Sequence, residues 1–268
     1  WIERNLYSSY RLFGMTLMGL TDVVLFGIVP GVAIFVTQIA WIPFWAAGVI
    51  NGLGHFWGYR HWPTADASTN LSPWGILIGG EELHNNHHAY PTSARLSSKW
   101  YEFDIGWMYI CILQALGLAR VKHLAPQPRI TMPKPAVDVD TLKAVIACRY
   151  DVLAKYAQSL RRAYVEELSR LRQRSPAEAK ALESVEPWLD RDEKTLPAPE
   201  RQQLAQALPA SQSLQTMVTM RCELSAIWER STATREQLVR QLQDWCKRAE
   251  ASGIAPLVEF SRRLRCYA

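Results

Sequence analysis

Residues 12–59 read LFGMTLMGLTDVVLFGIVPGVAIFVTQIAWIPFWAAGVINGLGHFWGY, and this stretch decides the fold. It runs for 48 positions with Asp22 as its only carboxylate and without a single Lys or Arg. As one straight helix it would be about 70 Å long, more than twice the roughly 30 Å of a hydrocarbon core, so a single span is excluded. Two antiparallel spans fit. The turn signal Gly27-Ile28-Val29-Pro30-Gly31 predicts spans near 11–28 and 32–54. Arg4 and Arg11 precede the first span and Arg60 follows the second, which by the positive-inside tendency puts both outer ends in the cytoplasm. Trp41, Trp45, Trp57 and Trp62 suit either interfacial anchoring or packing. The competing reading is a buried hairpin of a large soluble protein, but no other part of the chain is apolar enough to surround it. A cleaved leader fits poorly, because the apolar run is too long and lacks a basic start and a small-residue cleavage site.

Downstream lies Glu81-Glu82-Leu83-His84-Asn85-Asn86-His87-His88-Ala89-Tyr90-Pro91, which holds three of the six histidines. On a helix, positions i, i+3 and i+4 share a face, so His84, His87 and His88 can converge on metal from one element. The adjacent His87 and His88 point about 100° apart, which suits two neighbouring ions better than one. Gly79-Gly80 and Glu81-Glu82 resemble a helix start, and Pro91 disfavours helix at Tyr90. The cysteines, Cys111, Cys148, Cys222, Cys246 and Cys266, are scattered singly, which argues against a structural zinc site and for a reducing compartment. Imidazoles with neighbouring carboxylates and amides suit iron, zinc or copper, and residue chemistry leaves these open.

At the end of the second span stands Asn51-Gly52-Leu53-Gly54-His55-Phe56-Trp57-Gly58-Tyr59-Arg60, with Asn51 one helical turn before His55. An ionisable group at a membrane boundary is commonly functional when it faces the protein interior. The motif Asn-x-x-x-His followed by Gly-Tyr-Arg, then His-x-x-His-His, resembles the membrane fatty acyl desaturases over about residues 1–130. Tyr90-Pro91 resembles the bacterial members that act on acyl-CoA or membrane acyl lipids, the delta-9 desaturases among them.

The resemblance implies four iron ligands, His55, His84, His87 and His88, with Asn51 near the metal directly or through water. It implies two non-haem irons, O2 as co-substrate, and formation of a cis double bond in a fatty acyl chain. No catalytic side chain beyond the ligands is expected. Electrons would come from an external ferredoxin-, rubredoxin- or cytochrome-type donor with its reductase, since neither a Gly-rich nucleotide fingerprint nor an iron–sulfur cysteine spacing occurs. Glu81, Glu82, Asn85, Asn86 and Asp104 are candidates to hydrogen-bond the ligand rings from behind. His61 and His123 read as structural or solvated.

One departure from the family matters. Its two earlier histidine boxes, HxxxxH and HxxHH, do not occur, and its iron pair takes eight or more histidines. The expectation is therefore the C-terminal portion of a desaturase, inactive on its own. The alternatives are a membrane di-iron lipid hydroxylase, a zinc-dependent membrane hydrolase, and a basic adaptor with a vestigial site.

The character changes at Pro126-Gln127-Pro128-Arg129-Ile130-Thr131-Met132-Pro133-Lys134-Pro135, a proline-punctuated linker. Beyond it, Leu142, Val145, Ile146, Val152, Leu153, Tyr156, Leu160, Tyr164, Leu168 and Leu171 form an apolar stripe that predicts one helix over 138–174, capped by Asp138 or Asp140. Further helices are expected near 176–186, 199–208, 212–230, 233–251 and 255–265. This tail holds 22 of the 30 Lys and Arg against 18 of the 25 Asp and Glu, about +4 net, which reads as a salt-bridged surface rather than a nucleic-acid face. The fold class is all-α: a transmembrane helical hairpin, a cytoplasmic histidine-box region to residue 130, and a helical domain over 131–268. The expected location is the bacterial inner membrane with site and tail in the cytoplasm. The expected partners are an acyl-CoA or acyl lipid, membrane lipid and the electron donor, without nucleic acid.

Overall fold

The computed structural model describes residue 10 and residues 12–229 and 233–268. Arg4 and Arg11, on which half of the orientation argument rests, lie outside them.

The chain is all-α. The apolar run forms α1 (Phe13–Phe26) and α2 (Ile28–Pro43), joined at Gly27, whose φ of 84° only glycine adopts without strain. Pro30 sits in the first turn of α2, where its missing N–H costs nothing. The two helices touch at Gly31, where an added Cβ would stand 2.6 Å from the Asp22 carbonyl oxygen and the Val23 Cα. Past Pro43 the helix widens into a π-helix, Phe44–Ile50, and ends in a 3-10 turn, Leu53–His55. Asn51 closes the π-helix by donating both its backbone N–H and its side-chain amide to the Ala46 carbonyl.

Two spans were expected, and the lengths differ. The continuous helical path Ile28–His55 is long and apolar enough to cross a membrane, whereas α1, with 14 residues, reaches about 21 Å. Both helices turn their apolar side chains outward, with Val24 81% and Val29 80% exposed. A soluble protein's core hairpin is covered, and among the described residues this one is not.

Between hairpin and tail the chain is mostly loop, folded by polar contacts. Two short strands, β1 (Trp74–Gly75) and β2 (Phe103–Asp104), pair in parallel and bring the segment after residue 100 alongside the histidine box. The box itself is a short helix, α3 (His84–Ala89), that ends as expected before Pro91. Its start does not match the expectation: Gly79 and Gly80 have φ of 67° and 103° and shape a turn, and helix begins only after Leu83. Glu82 supports that turn by accepting from the backbone N–H groups of Leu77 and Ile78. An apolar helix that the sequence reading did not anticipate follows, α4 (Ile105–Ala115), without a buried residue.

The tail is built from α5 (Val139–Ala147), α6 (Arg149–Arg174), α7 (Pro176–Ser184), α8 (Ala198–Ala207), α9 (Gln212–Glu229), α10 (Arg235–Ala251) and α11 (Ala255–Leu264). The single helix expected over 138–174 is broken at Cys148, with Asp138 capping the first part through the Thr141 N–H. The apolar stripe packs as its spacing predicts. Val152 and Tyr156 enter one buried cluster with Leu224, Trp245 and Phe260, while Leu160, Leu168 and Leu171 enter a second with Leu182, Leu204 and Met217. The proline-rich linker is pinned rather than free. Ile130 pairs with Tyr267, and the Ala268 N–H donates to the Arg129 carbonyl.

Candidate metal centre

Three imidazoles meet where the long apolar helix ends. His55 comes from the last turn of the apolar path, and His84 and His88 from one face of α3. Each offers a ring nitrogen within 4.8 Å of the others'. His55 Nε2 and His84 Nε2 stand 3.0 Å apart. That is the separation of two nitrogens bound to one ion at right angles, roughly 3 Å for bonds of about 2.1 Å. It is equally the separation of a hydrogen bond between the two rings, so the group is a candidate site for one divalent cation. The centre is also dry on one side: His84 is 3% exposed, and its Nδ1 is buried without a hydrogen-bond partner.

His87, expected as a ligand, stands outside this group. Its ring lies parallel to that of His84 at 6.3 Å and edge-on to that of His88 at 5.9 Å. The two adjacent histidines thus diverge, as the helical geometry requires. Asn51 donates its side-chain amide to the Ala46 carbonyl.

Of the five residues expected to support the rings, Glu81 comes nearest, with Oε2 at 3.9 Å from His84 Nδ1. The others hold the backbone. Asn85 ties α3 to the preceding loop, accepting from the N–H groups of His61 and Trp62 and donating to the Trp62 carbonyl. Asn86 bonds Asn70 and Glu102, and Asp104 caps α4 through the Trp107 N–H. The carboxylate that does reach a cluster ring is Asp66, which the sequence reading passed over. Its Oδ2 lies 2.6 Å from His88 Nδ1. Burial pushes this carboxyl up, but hydrogen bonds from Ser68, His88 and Thr64 outweigh it and hold it well below the usual range.

A second node lies beside the centre. Glu102 is 8% exposed and accepts from Tyr59, His61, Asn86 and the N–H groups of Ser98 and Lys99. Burial raises its pKa, yet these donors bring it down to about 2. His61 thereby pairs with Glu102 at 2.9 Å. His123 lies in a loop, where its carbonyl accepts from the Ala94 N–H. All five cysteines are free. The tail approaches the box through an edge-to-face contact of Tyr90 with Tyr150, ring centroids 5.7 Å apart. A cavity of about 1150 Å³ lined by His55, Arg60, Asp66, Tyr150, Arg161 and Arg221 lies between them.

Comparison with known proteins divides the chain. A family model described as Transposase matches residues 144–268, within the helical tail. No solved structure matches. The chain is 40% identical over 119 residues to a delta-9 desaturase-like 1 protein of Arabidopsis thaliana, covering 44% of this chain and 39% of the relative. It is 41% identical over 88 residues to an sn-1 stearoyl-lipid 9-desaturase of Anabaena variabilis, covering 33% and 32%. It is 49% identical over 70 residues to an icosanoyl-CoA 5-desaturase of Limnanthes douglasii, covering 26% and 20%. The chain thus spans about two fifths or less of the length of these relatives. Over that partial region the chain is similar, at about 40% identity, to delta-9 and acyl-lipid desaturases.

Proposed function

We propose that the histidine-box region is the metal-holding C-terminal part of a di-iron fatty acyl desaturase that introduces a cis double bond. The observation that carries this is the convergence of His55, His84 and His88 at the exit of the membrane helix. When bound, a pair of irons supplies the O2 activation needed to attack unactivated methylenes, which no acid–base side chain can do. His55, His84 and His88 would hold one ion. His87, outside that group, would serve a second ion whose other ligands come from the remainder of a desaturase. The site stands at the end of the apolar helix, so an acyl chain could reach it from the bilayer without crossing water. Specificity among near-identical methylenes would rest on how the chain is held, not on the metals. The acyl carrier is a CoA or a membrane lipid, electrons come from a separate donor protein, and site and tail face the cytoplasm of a bacterial inner membrane.

Ligand counting has a consequence. Four imidazoles are about half of the shell that the resemblance implies, so residues 1–268 alone hold metal without desaturating. The test measures bound metal and unsaturated fatty acids in a desaturase-deficient host expressing the chain with and without the first half of a related desaturase. Iron retained by the chain, with unsaturation only in the paired form, supports the reading. Unsaturation from the chain alone overturns the ligand count, and absence of any bound metal overturns the metal assignment.

The match to a transposase model favours a separate reading of the tail, as a helical module of different ancestry that takes no part in acyl chemistry. Binding of duplex DNA by the tail would support that reading and contradict the expectation that nucleic acid is not a partner. Loss of metal from the centre when the tail is deleted would oppose it.

A further inference from the structure

We propose that Asp66 is the positioning residue of the histidine cluster, fixing His88 with its Nδ1–H donated to the carboxylate so that Nε2 faces the shared cation. This rests on the metal reading above and adds a residue to it.

The geometry is built from both sides. On the carboxylate side, Oδ1 accepts from Thr64 Oγ1 at 2.8 Å, from the Ser68 N–H at 3.1 Å and from Ser68 Oγ at 2.5 Å. That leaves Oδ2 for His88 at 2.6 Å. Arg60 holds the same loop by donating to the carbonyls of Asp66 and Thr64, each at 3.0 Å. On the histidine side, Asn85 lies one turn before His88 on the same short helix and donates to Thr64 Oγ1 at 3.2 Å and Ser68 Oγ at 3.4 Å. The hydroxyls that fix Asp66 are therefore the ones that fix the helix carrying His88.

The chemistry follows from the ring's two nitrogens. A neutral imidazole carries one N–H, and a carboxylate accepts but cannot donate, so Asp66 selects the tautomer protonated on Nδ1. The lone pair is then on Nε2, the nitrogen on the opposite side of the ring. A carboxylate behind a ligating histidine also raises its basicity and removes ring rotation, and losing such a partner typically costs 10–100-fold in metal affinity. The contrast within the cluster is informative. His84 Nδ1 has no hydrogen-bond partner and sees Glu81 only at 3.9 Å. Among the described residues, Asp66 is the carboxylate that hydrogen-bonds a ring of the cluster.

The experiment uses the full chain purified in detergent, titrated with Zn²⁺ against a chelator of known affinity. Variants are Asp66→Asn, Asp66→Ala and His88→Ala, with ¹⁵N-histidine spectra of the metal-free protein reporting the His88 tautomer. The expected result is one Zn²⁺ in the wild type, a 10–100-fold weaker site in both Asp66 variants, and loss of the Nδ1–H signature of His88. Asp66→Asn is isosteric, so it remains informative if Asp66→Ala does not fold. Wild-type affinity and tautomer in a folded Asp66→Asn chain, with binding still lost in His88→Ala, would overturn this inference and leave the metal reading standing. If the wild type binds no Zn²⁺, the metal reading falls and this inference with it.

Discussion

His55 and His84 face each other Nε2 to Nε2 across 3.0 Å, joining the end of the membrane helix to the first residue of α3 from 29 positions away. Two ring nitrogens this close cannot both present lone pairs without a proton or a cation between them. The pair therefore ties the end of the apolar helix to the start of α3 through one shared proton or cation.

Replacing His55, His84 or His88 by Ala should each lower Zn²⁺ or Fe²⁺ affinity of the chain at least tenfold, since one of three converging donors is lost. His87→Ala should leave the affinity of this site within about threefold, because that ring lies outside the three-nitrogen group, yet abolish unsaturated product in the paired form proposed above. Equilibrium dialysis separates the two. Equal losses in all four variants would place His87 in the first site.

The chain should stay with membranes through carbonate and high-salt washing. Its helices α1 and α2 expose apolar side chains along their length, and such a surface is released by detergent rather than by ions. Recovery in the salt wash would reject the spanning assignment.

Gly31→Val should destabilise the helical hairpin by roughly 1–3 kcal/mol, since the added Cβ would meet the Asp22 and Val23 backbone at 2.6 Å. A detergent thermal melt reads the loss. Gly48→Ala is the control, because an added Cβ there meets nothing within 4 Å.

The network around Glu102 gives the histidine region an acid-sensitive component. Its pKa is depressed from 4.5 to about 2, so its contribution is complete above pH 4.5 and fades as the pH falls toward 2. Glu102→Gln should therefore lower the melting temperature at pH 7 while narrowing the gap to wild type by pH 3. A gap that is independent of pH would assign the effect to packing alone.

A polypeptide of residues 126–268 should be soluble, helical and more stable than one of residues 136–268. Only the longer form keeps the pairing of Ile130 with Tyr267 and the hydrogen bond from Ala268 to Arg129. Far-ultraviolet circular dichroism during heating compares them.

Helical spacing made the tail legible: α7 to α11 fall within a few residues of where apolar periodicity and Pro or Ser punctuation place them. The break at Cys148 was not, because neither Gly nor Pro marks it and the apolar stripe continues across it. Three of the four ligand candidates converge because His84 and His88 share a helix face and His55 ends the apolar run. Asp66 was invisible for a physical reason. It lies in a loop whose shape is set by Asn85 and Arg60 side chains, and hydrogen bonds between distant polar residues leave no period in a sequence. The available hint was local, since Thr64-Ala65-Asp66-Ala67-Ser68 is rich in side chains that bond their own turn. Helix α4 was not legible because an apolar stretch of 11 residues is too short to read as a span.

The pairing of Ile130 with Tyr267 also fixes an order of events during synthesis. The hairpin is complete once His55 has been made, and its contacts are local, so it can form while the tail is still untranslated. The tail's neck cannot close until Tyr267 has been added. The hairpin can therefore form before the tail closes, and the tail reaches its final form only after the histidine region beside it has been made.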